Sequence, residues 1–544
     1  MFKSKKSNVL FLDDNVKKYL FYMMFPTVFF LVFLLINLNN INIITNEFGD
    51  YAINALQIIR AKYFKEFLGP YSRFGFNHPG PISYYYYAFM ENVLFFLKSD
   101  YSKHAVAQFI SNYFFLLTTL TIIYKSFEQK YYTIIYFMLF LFTLTPFDSN
   151  IFVDLWPPCL LIFPLSVFVL SSARLATGNA KYMLPLVISA VVMTHNYLSI
   201  LIITISFSCI SLLLFIINKT KLRRNDFYYI FVSGLFVILS SFPILYQQFV
   251  YPDGNLTKIY TFFQSYPFFN QSFSASLDYI INFYSRPITQ SVNVDPYLVM
   301  LLLIILSLIN LEKGKKSFTN YLILFNFIGL WLSIFAASKV IGELDTHYFW
   351  FEFSFAALFY FASVLGIIKL FKLMRNMFFE CNLNFLKIGY ILRRNLAIIL
   401  GILLVGSLTF ITVTYYKMSN STITSYDHII TVVDNTITID KLTEAIKPEK
   451  NKTYLLYWKN GGVHNFQFIP ATGVALKLIR LNCNVCITDE WNIEFGSDLK
   501  CENKSNIYKV SFFLTEKYDE NIDGKFERMF TFHNTTLGFG EPLE

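Results

Sequence analysis

Apolar stretches of roughly membrane-spanning length recur along this chain, at 19–38, 105–124, 131–147, 157–173, 181–195, 197–217, 228–247, 296–311, 319–338, 347–371 and 395–416. A helix needs about 20 such residues to cross a bilayer core, so the shorter stretches must borrow neighbouring residues or tilt. Polar regions interrupt the pattern at 39–104 and 248–295, and the balance changes for good after 416. The pattern predicts an α-helical polytopic membrane protein. About eleven transmembrane helices fill residues 1–416, and a small α/β domain follows at 417–544. In that tail, short apolar runs at 454–458 and 507–513 read as strands and 465–480 as a helix.

Two segments of the first polar region depart from the spanning pattern. Residues 50–67 place Ile53, Leu56, Ile59, Tyr63, Phe64 and Phe67 at helical spacing, with Arg60, Lys62, Lys65 and Glu66 beside them. That predicts an amphipathic helix lying on the membrane surface, with Asp50 at its start as an N-cap. Residues 82–97 are apolar and aromatic but contain Glu91 and Asn92. Loop charge assigns their role. The N-terminus with Lys3, Lys5 and Lys6, the run 219–224, Lys313, Lys315 and Lys316, and the stretch 372–394 are basic and therefore expected in the cytoplasm. Counting spans back from 219–224 puts both flanks of 82–97 outside. The segment is expected to lie in the interface or dip and return. Residues 39–104, 248–295 and 417–544 are then all extracytoplasmic.

Composition agrees with the membrane reading. The chain is 55% hydrophobic and 15% charged, whereas soluble domains carry about 25% charged residues. Its net charge of +9 lies in short inter-helix loops and is no sign of nucleic-acid binding. The first apolar stretch is too long for a cleavable signal segment. Cys159, Cys209 and Cys381 sit in or beside apolar stretches as small hydrophobes, while Cys483, Cys486 and Cys501 cluster in the tail and can form one disulfide and one free thiol if exported.

Candidate chemistry concentrates in the polar regions. The run 69–81, GPYSRFGFNHPGP, brings Tyr71, Arg73 and His78 together among Gly69, Gly75, Gly80, Pro70, Pro79 and Pro81. Arg offers a fork of donors suited to phosphate, and His adds a charge or donor near neutral pH. Asp50 can serve as a helix cap or as a general base. The stretch 146–158 offers Asp148, Asp154 and Trp156. There Asp148 reads as turn chemistry, and Asp154 as a second acid or a hard-cation ligand. His195 and His347, the latter near Asp345, lie at expected external helix ends, and Arg286 is a spare phosphate ligand. No phosphate-binding GxxxxGK[ST], nucleophile-elbow GxSxG or zinc-binding HExxH occurs.

An external acid opening an amphipathic helix, followed by a proline-containing loop and a second surface helix, resembles the GT-C superfamily of integral membrane glycosyltransferases. The block GPYSRFGxxHPGP at 69–81 and the segment GVALKLIR…C…W…FG at 473–496 are similar to a bacterial subgroup of it. Protein mannosyltransferases and the aminoarabinose transferase of lipid A are wider relatives. The resemblance implies a polyprenyl-phosphate-linked sugar donor, a glycan, lipid or protein acceptor, and inverting transfer outside a bacterial inner membrane. By position Asp50 matches the catalytic base, Arg73 and His78 the donor-phosphate loop, and 248–295 the second large active-site loop. Gly49-Asp50-Tyr51 departs from the Asp-Glu pair of several relatives, which leaves a divalent cation open. An oligosaccharide ligase or polymerase, a flippase for lipid-linked sugars and a non-catalytic scaffold are the competing readings.

Overall fold

The computed structural model describes residues 13–380 and 432–540, apart from 43, 146–148, 252–253, 267–268, 291, 315, 451, 459–467, 489–490, 492–494, 497–498, 502–506, 520–522 and 524. The expected span 395–416 and Asp148 lie outside the described residues. The membrane part runs α1 (Asp14–Ile41), α2 (Gly49–Lys62), a hairpin of β1 (Tyr71–Ser72) and β2 (Phe76–Asn77), α3 (Ile82–Val93), α4 (Asp100–Ser126), α5 (Tyr132–Thr143) and α6 (Ile162–Ala176). It continues through α7 (Met183–Asn196), α8 (Leu201–Asn218), α9 (Arg224–Val250), α10 (Asn255–Ser265), α11 (Phe273–Thr289), α12 (Pro296–Leu308), α13 (Phe318–Ser338) and α14 (Glu352–Glu380).

Among the described residues, seven helices are long and apolar enough to cross a membrane. They mark a multi-pass membrane protein. The stretches expected at 131–147, 181–195 and 296–311 form helices of 12, 14 and 13 residues. At 1.5 Å per residue such helices reach only about 20 Å, against a hydrocarbon core of about 30 Å. α6 sits at the centre with 14 of its 15 residues buried, whereas α9 leaves most of its apolar side chains exposed.

The bundle has two chemically distinct ends. At one, the Asn218 amide donates to Ala176 O (2.7 Å), Lys219 pairs with Asp226 (2.8 Å), and Lys369 donates to Leu311 O (3.2 Å). Arg174 lies over the Phe318 ring there. Among the described residues, the connections at 174–181, 219–226 and 311–318 therefore gather together. α4 carries the chain about 40 Å from that end to the other, where α2, the hairpin and the α7–α8 and α13–α14 connections meet.

Two expectations are corrected here. α2 does not lie open on a surface. Ala52, Ile53, Ala55 and Leu56 belong to a core shared with Ile439, Trp458, Val474, Ala475 and Leu478 of the tail, and Ile58 and Ala61 to a second core with Tyr84, Tyr87 and Ala105. One helix thus has two buried faces, and a single amphipathic stripe understates it. The stretch 248–295 is largely helical rather than an open loop. α11 buries Ile280, Ile281, Phe283 and Tyr284, stacking Phe283 on Phe353 and donating from the Tyr284 hydroxyl to Glu352 (2.8 Å).

α3, the segment expected not to cross, has 12 residues. Its tyrosines act as struts. Tyr84 donates to Asn54 (2.8 Å), Tyr85 to Glu66 O (2.7 Å), Tyr86 to Ala107 O (2.7 Å) and Tyr87 to Gln108 (2.7 Å). Glu91 pairs with Lys62 and His104.

The tail adds α15 (Val432–Ile446), β3 (Thr453–Trp458), α16 (Phe468–Arg480), β4 (Asn484–Ile487), β5 (Ile507–Leu514), β6 (Arg528–Phe532) and β7 (Thr535–Phe539). The strands order β4-β3-β5-β7-β6, with β3 parallel to both neighbours and β7 antiparallel to β5 and β6. α16 is the crossover that a parallel pair requires. Cys486 and Cys501 form the disulfide, and Cys483 is a buried free thiol.

Because Leu56 fills the core between α2 and the tail, Leu56→Ala should cost about 2–5 kcal/mol. The expected outcome is a lower melting midpoint in detergent together with faster proteolysis of the tail. An unchanged midpoint would show that the two parts do not share a core.

Candidate active site

The hairpin folds as its sequence requires. Gly75 has φ +83°, and its N–H donates to Ser72 O (3.2 Å), closing a tight turn that sets Tyr71 opposite Asn77. Below the turn, His78 N donates to Pro70 O (2.7 Å) and Gly69 N to His78 O (3.0 Å). Asn255 of α10 anchors the second strand, accepting from Asn77 N (2.8 Å) and donating to Asn77 O (2.7 Å). Gly69 and Gly80 permit close packing on the end of α7. A Cβ on Gly69 would lie 2.4 Å from His195 O, and one on Gly80 would lie 2.3 Å from His195 Nδ1.

This brings the Tyr71 hydroxyl to Asp50 Oδ1, where it donates a short hydrogen bond. Trp156 Nε1 donates to Asp50 Oδ2 (2.9 Å). Asp50 is therefore no helix cap. The N-cap is Phe48, which offers no side-chain bond, and both carboxylate oxygens face side-chain donors across the site. Asp50 keeps partial contact with solvent. Its packing is still dense enough that burial raises its carboxyl above the usual range, against the opposing effect of the two donors.

A second acid, Asp154, lies beside Asp50. Its Oδ1 accepts from the Tyr51 hydroxyl (2.9 Å) and from Trp156 N (2.8 Å). Burial raises its carboxyl first, and the nearby Asp50 charge adds to the effect. Trp156 thus bridges two acids, one through its backbone and one through its indole. The indole ring also lies 4.9 Å from the His347 ring and 5.3 Å from that of Trp350.

From His347 the constellation continues to the rim. Its ring contacts Tyr348 at 4.3 Å, and the Tyr348 hydroxyl accepts from Arg73 Nη2. The Arg73 guanidinium also lies over the Tyr348 and Phe74 rings and is exposed to solvent. Asp50, Tyr71, Asp154, Trp156, His347 and Arg73 consequently form one connected group. The sequence reading did not single out Tyr51 and Tyr348. Their positions next to Asp50 and His347 were the only signal.

Three expected residues sit elsewhere. His78 carries no charge: its Nδ1 accepts from Leu198 N (3.2 Å), its ring packs 4.9 Å from Tyr197, and burial pushes its pKa down to about 3. It pins the hairpin to the α7–α8 connection. His195 is buried beneath Gly69 and Gly80 and acts as a packing surface. Arg286 lies two turns beyond Tyr279 on α11, whose hydroxyl donates to Asp345 O (3.1 Å). Among the described contacts it does not join the Asp50 group.

Every polar contact described at Asp50 and Asp154 comes from an N–H, O–H or S–H donor. Among the described residues, no three His, Cys, Asp or Glu side chains are placed to hold a metal ion. No protein-family model matches the chain, and no curated protein is similar to it.

Gly80→Ala should force the hairpin off His195, given the 2.3 Å approach. The expected outcome is a melting midpoint lowered by several degrees and faster cleavage within 69–81, whereas Gly75→Asn, which tolerates a positive φ, should be mild. Equal behaviour of the two variants would refute the packing role of His195.

Proposed function

We propose that this protein is an inverting membrane glycosyltransferase of the GT-C type. It moves a sugar from a polyprenyl-phosphate donor to a hydroxyl of a glycan, lipid or protein acceptor. One observation carries the reading. A partly exposed Asp50, held by Tyr71 and Trp156 and raised by burial, shares a single connected site with the exposed guanidinium of Arg73. The resemblance of the 69–81 block supports it, and basic loops at the opposite end are what the positive-inside rule asks of a site facing outward from a bacterial inner membrane.

The chemistry follows from the side chains. Each Asp50 oxygen has a second lone pair beyond the one taken by its donor. The carboxylate accepts the proton of the acceptor hydroxyl as that oxygen bonds to the anomeric carbon. The bond from this carbon to the donor phosphate breaks, and the phosphate leaves with the electron pair. Arg73 stabilises the charge developing there. Trp156 and His347 offer ring faces along which a sugar can stack. Tyr71 fixes the direction of the Asp50 carboxylate, and the membrane supplies proximity by holding a lipid-borne donor beside the site.

Purified protein incubated with a panel of polyprenyl phosphate sugars should release free polyprenyl phosphate from one of them. Asp50→Asn should lower this release by about 10²–10⁴-fold. Turnover retained in that variant would remove Asp50 as the base. With the wild-type protein, the rate should fall on acidification at a pH above the ordinary Asp value of about 3.9, because only the ionised carboxylate accepts a proton. The stability effect has the opposite sign. A raised carboxyl pKa means that the folded state holds the proton more tightly. Its contribution is present at low pH and is lost as pH rises through the raised value. At neutral pH Asp50→Asn should therefore melt no lower than the wild type.

A further inference from the structure

The start of α2 has no local means of fixing its own position. Its N-cap Phe48 makes no side-chain bond, and Gly49 enters the helix at φ +53°, a conformation that costs other residues energy. Asp50 is the next residue. The placement of its carboxylate depends on what holds residues 44–49 as well as on Tyr71 and Trp156.

The C-terminal domain holds them. Glu47 is a buried acid, and Arg480 at the end of α16 grips both of its oxygens, Nη1 to Oε2 at 2.6 Å and Nη2 to Oε1 at 3.0 Å. Arg480 Nη2 also reaches Asp100 Oδ2 at the start of α4 (3.2 Å), which ties three elements together. A paired fork of this kind fixes direction as well as distance. Gly473 lets the helix press on the backbone, since a Cβ there would lie 2.9 Å from Glu47 O. Asn46 donates to Asp440 (2.6 Å), and its own N–H donates to Thr436 Oγ1 (3.2 Å). At the other end of α2, Arg60 Nη1 donates to Phe495 O (2.7 Å). The domain also touches a partner of the carboxylate, with the Phe468 ring 6.1 Å from that of Tyr71.

We infer that the C-terminal domain positions Asp50, and that Arg480, acting through Glu47, is the positioning residue. The inference takes the importance of Asp50 from the glycosyl-transfer reading. The grip itself is independent of that reading. Glu47 and Arg480 touch no reacting group. They set the turn from which Asp50 projects, and the bidentate fork is what a lysine cannot reproduce.

Arg480→Lys keeps the charge and most of the stem, and the full-length protein is compared with the wild type by two readouts. Hydrogen exchange across 44–62 should rise at 46–53, while β3, β5 and β7 keep their protection. Release of polyprenyl phosphate from the sugar donor the wild type cleaves should fall about ten- to a hundredfold. KM for that donor should be unchanged, and the acid limb of the rate profile should move as Asp50 loses its fixed donors. Unchanged exchange at 46–53 overturns the inference. So does a loss of turnover that only parallels unfolding of the β-sheet. A wild-type protein inactive on every donor counts against the glycosyl-transfer reading alone, and the exchange result then decides the grip by itself. Glu47→Gln, which leaves a hydrogen-bonding partner of the same shape, should give a smaller change in the same direction, and a larger one also overturns the inference.

Discussion

A carboxylate that packing partly encloses draws its hydrogen bonds from the protein, and the end of the bundle opposite the basic loops is built around that requirement. Asp50 takes one donor from Tyr71 and one from Trp156. Neither donor is free to choose its place. Tyr71 is fixed by a hairpin that glycines allow to press on His195, and Trp156 by a backbone bond to Asp154. Removing either donor would leave one Asp50 oxygen short of a hydrogen bond.

The same logic explains why α2 is buried on both faces. An amphipathic helix resting on a bilayer could slide, and its acid would move with it. Here one face packs on the core of the tail and the other on α3 and α4. The tyrosines of α3 add hydrogen bonds to four separate partners. This end of the bundle is a three-layer arrangement, the tail on α2 and α2 on α3 and α4, rather than a set of loops.

Much of this was legible in the sequence. Apolar length found the long helices, and loop charge grouped the basic connections that the structure brings to one end. The unusual composition of 69–81 marked the hairpin region, and Asp50, Tyr71, Arg73, Asp154, Trp156 and His347 do converge. What stayed hidden depends on long-range packing. No window on 50–67 reveals that Ile53 and Leu56 meet residues some four hundred positions later. Nothing in the sequence shows that His78 is buried against Tyr197 and therefore neutral. Arg286 looked like a loop cation because it falls in the long connection 248–295, whereas it sits on the helix α11.

Trp156 has one further consequence. It addresses Asp154 through its main chain and Asp50 through its ring, and the Asp50 charge adds to the burial that makes Asp154 harder to ionise. A ligand that draws the indole aside therefore removes a donor that lowers the Asp50 carboxyl, while the main-chain donor of Asp154 sits on the same residue.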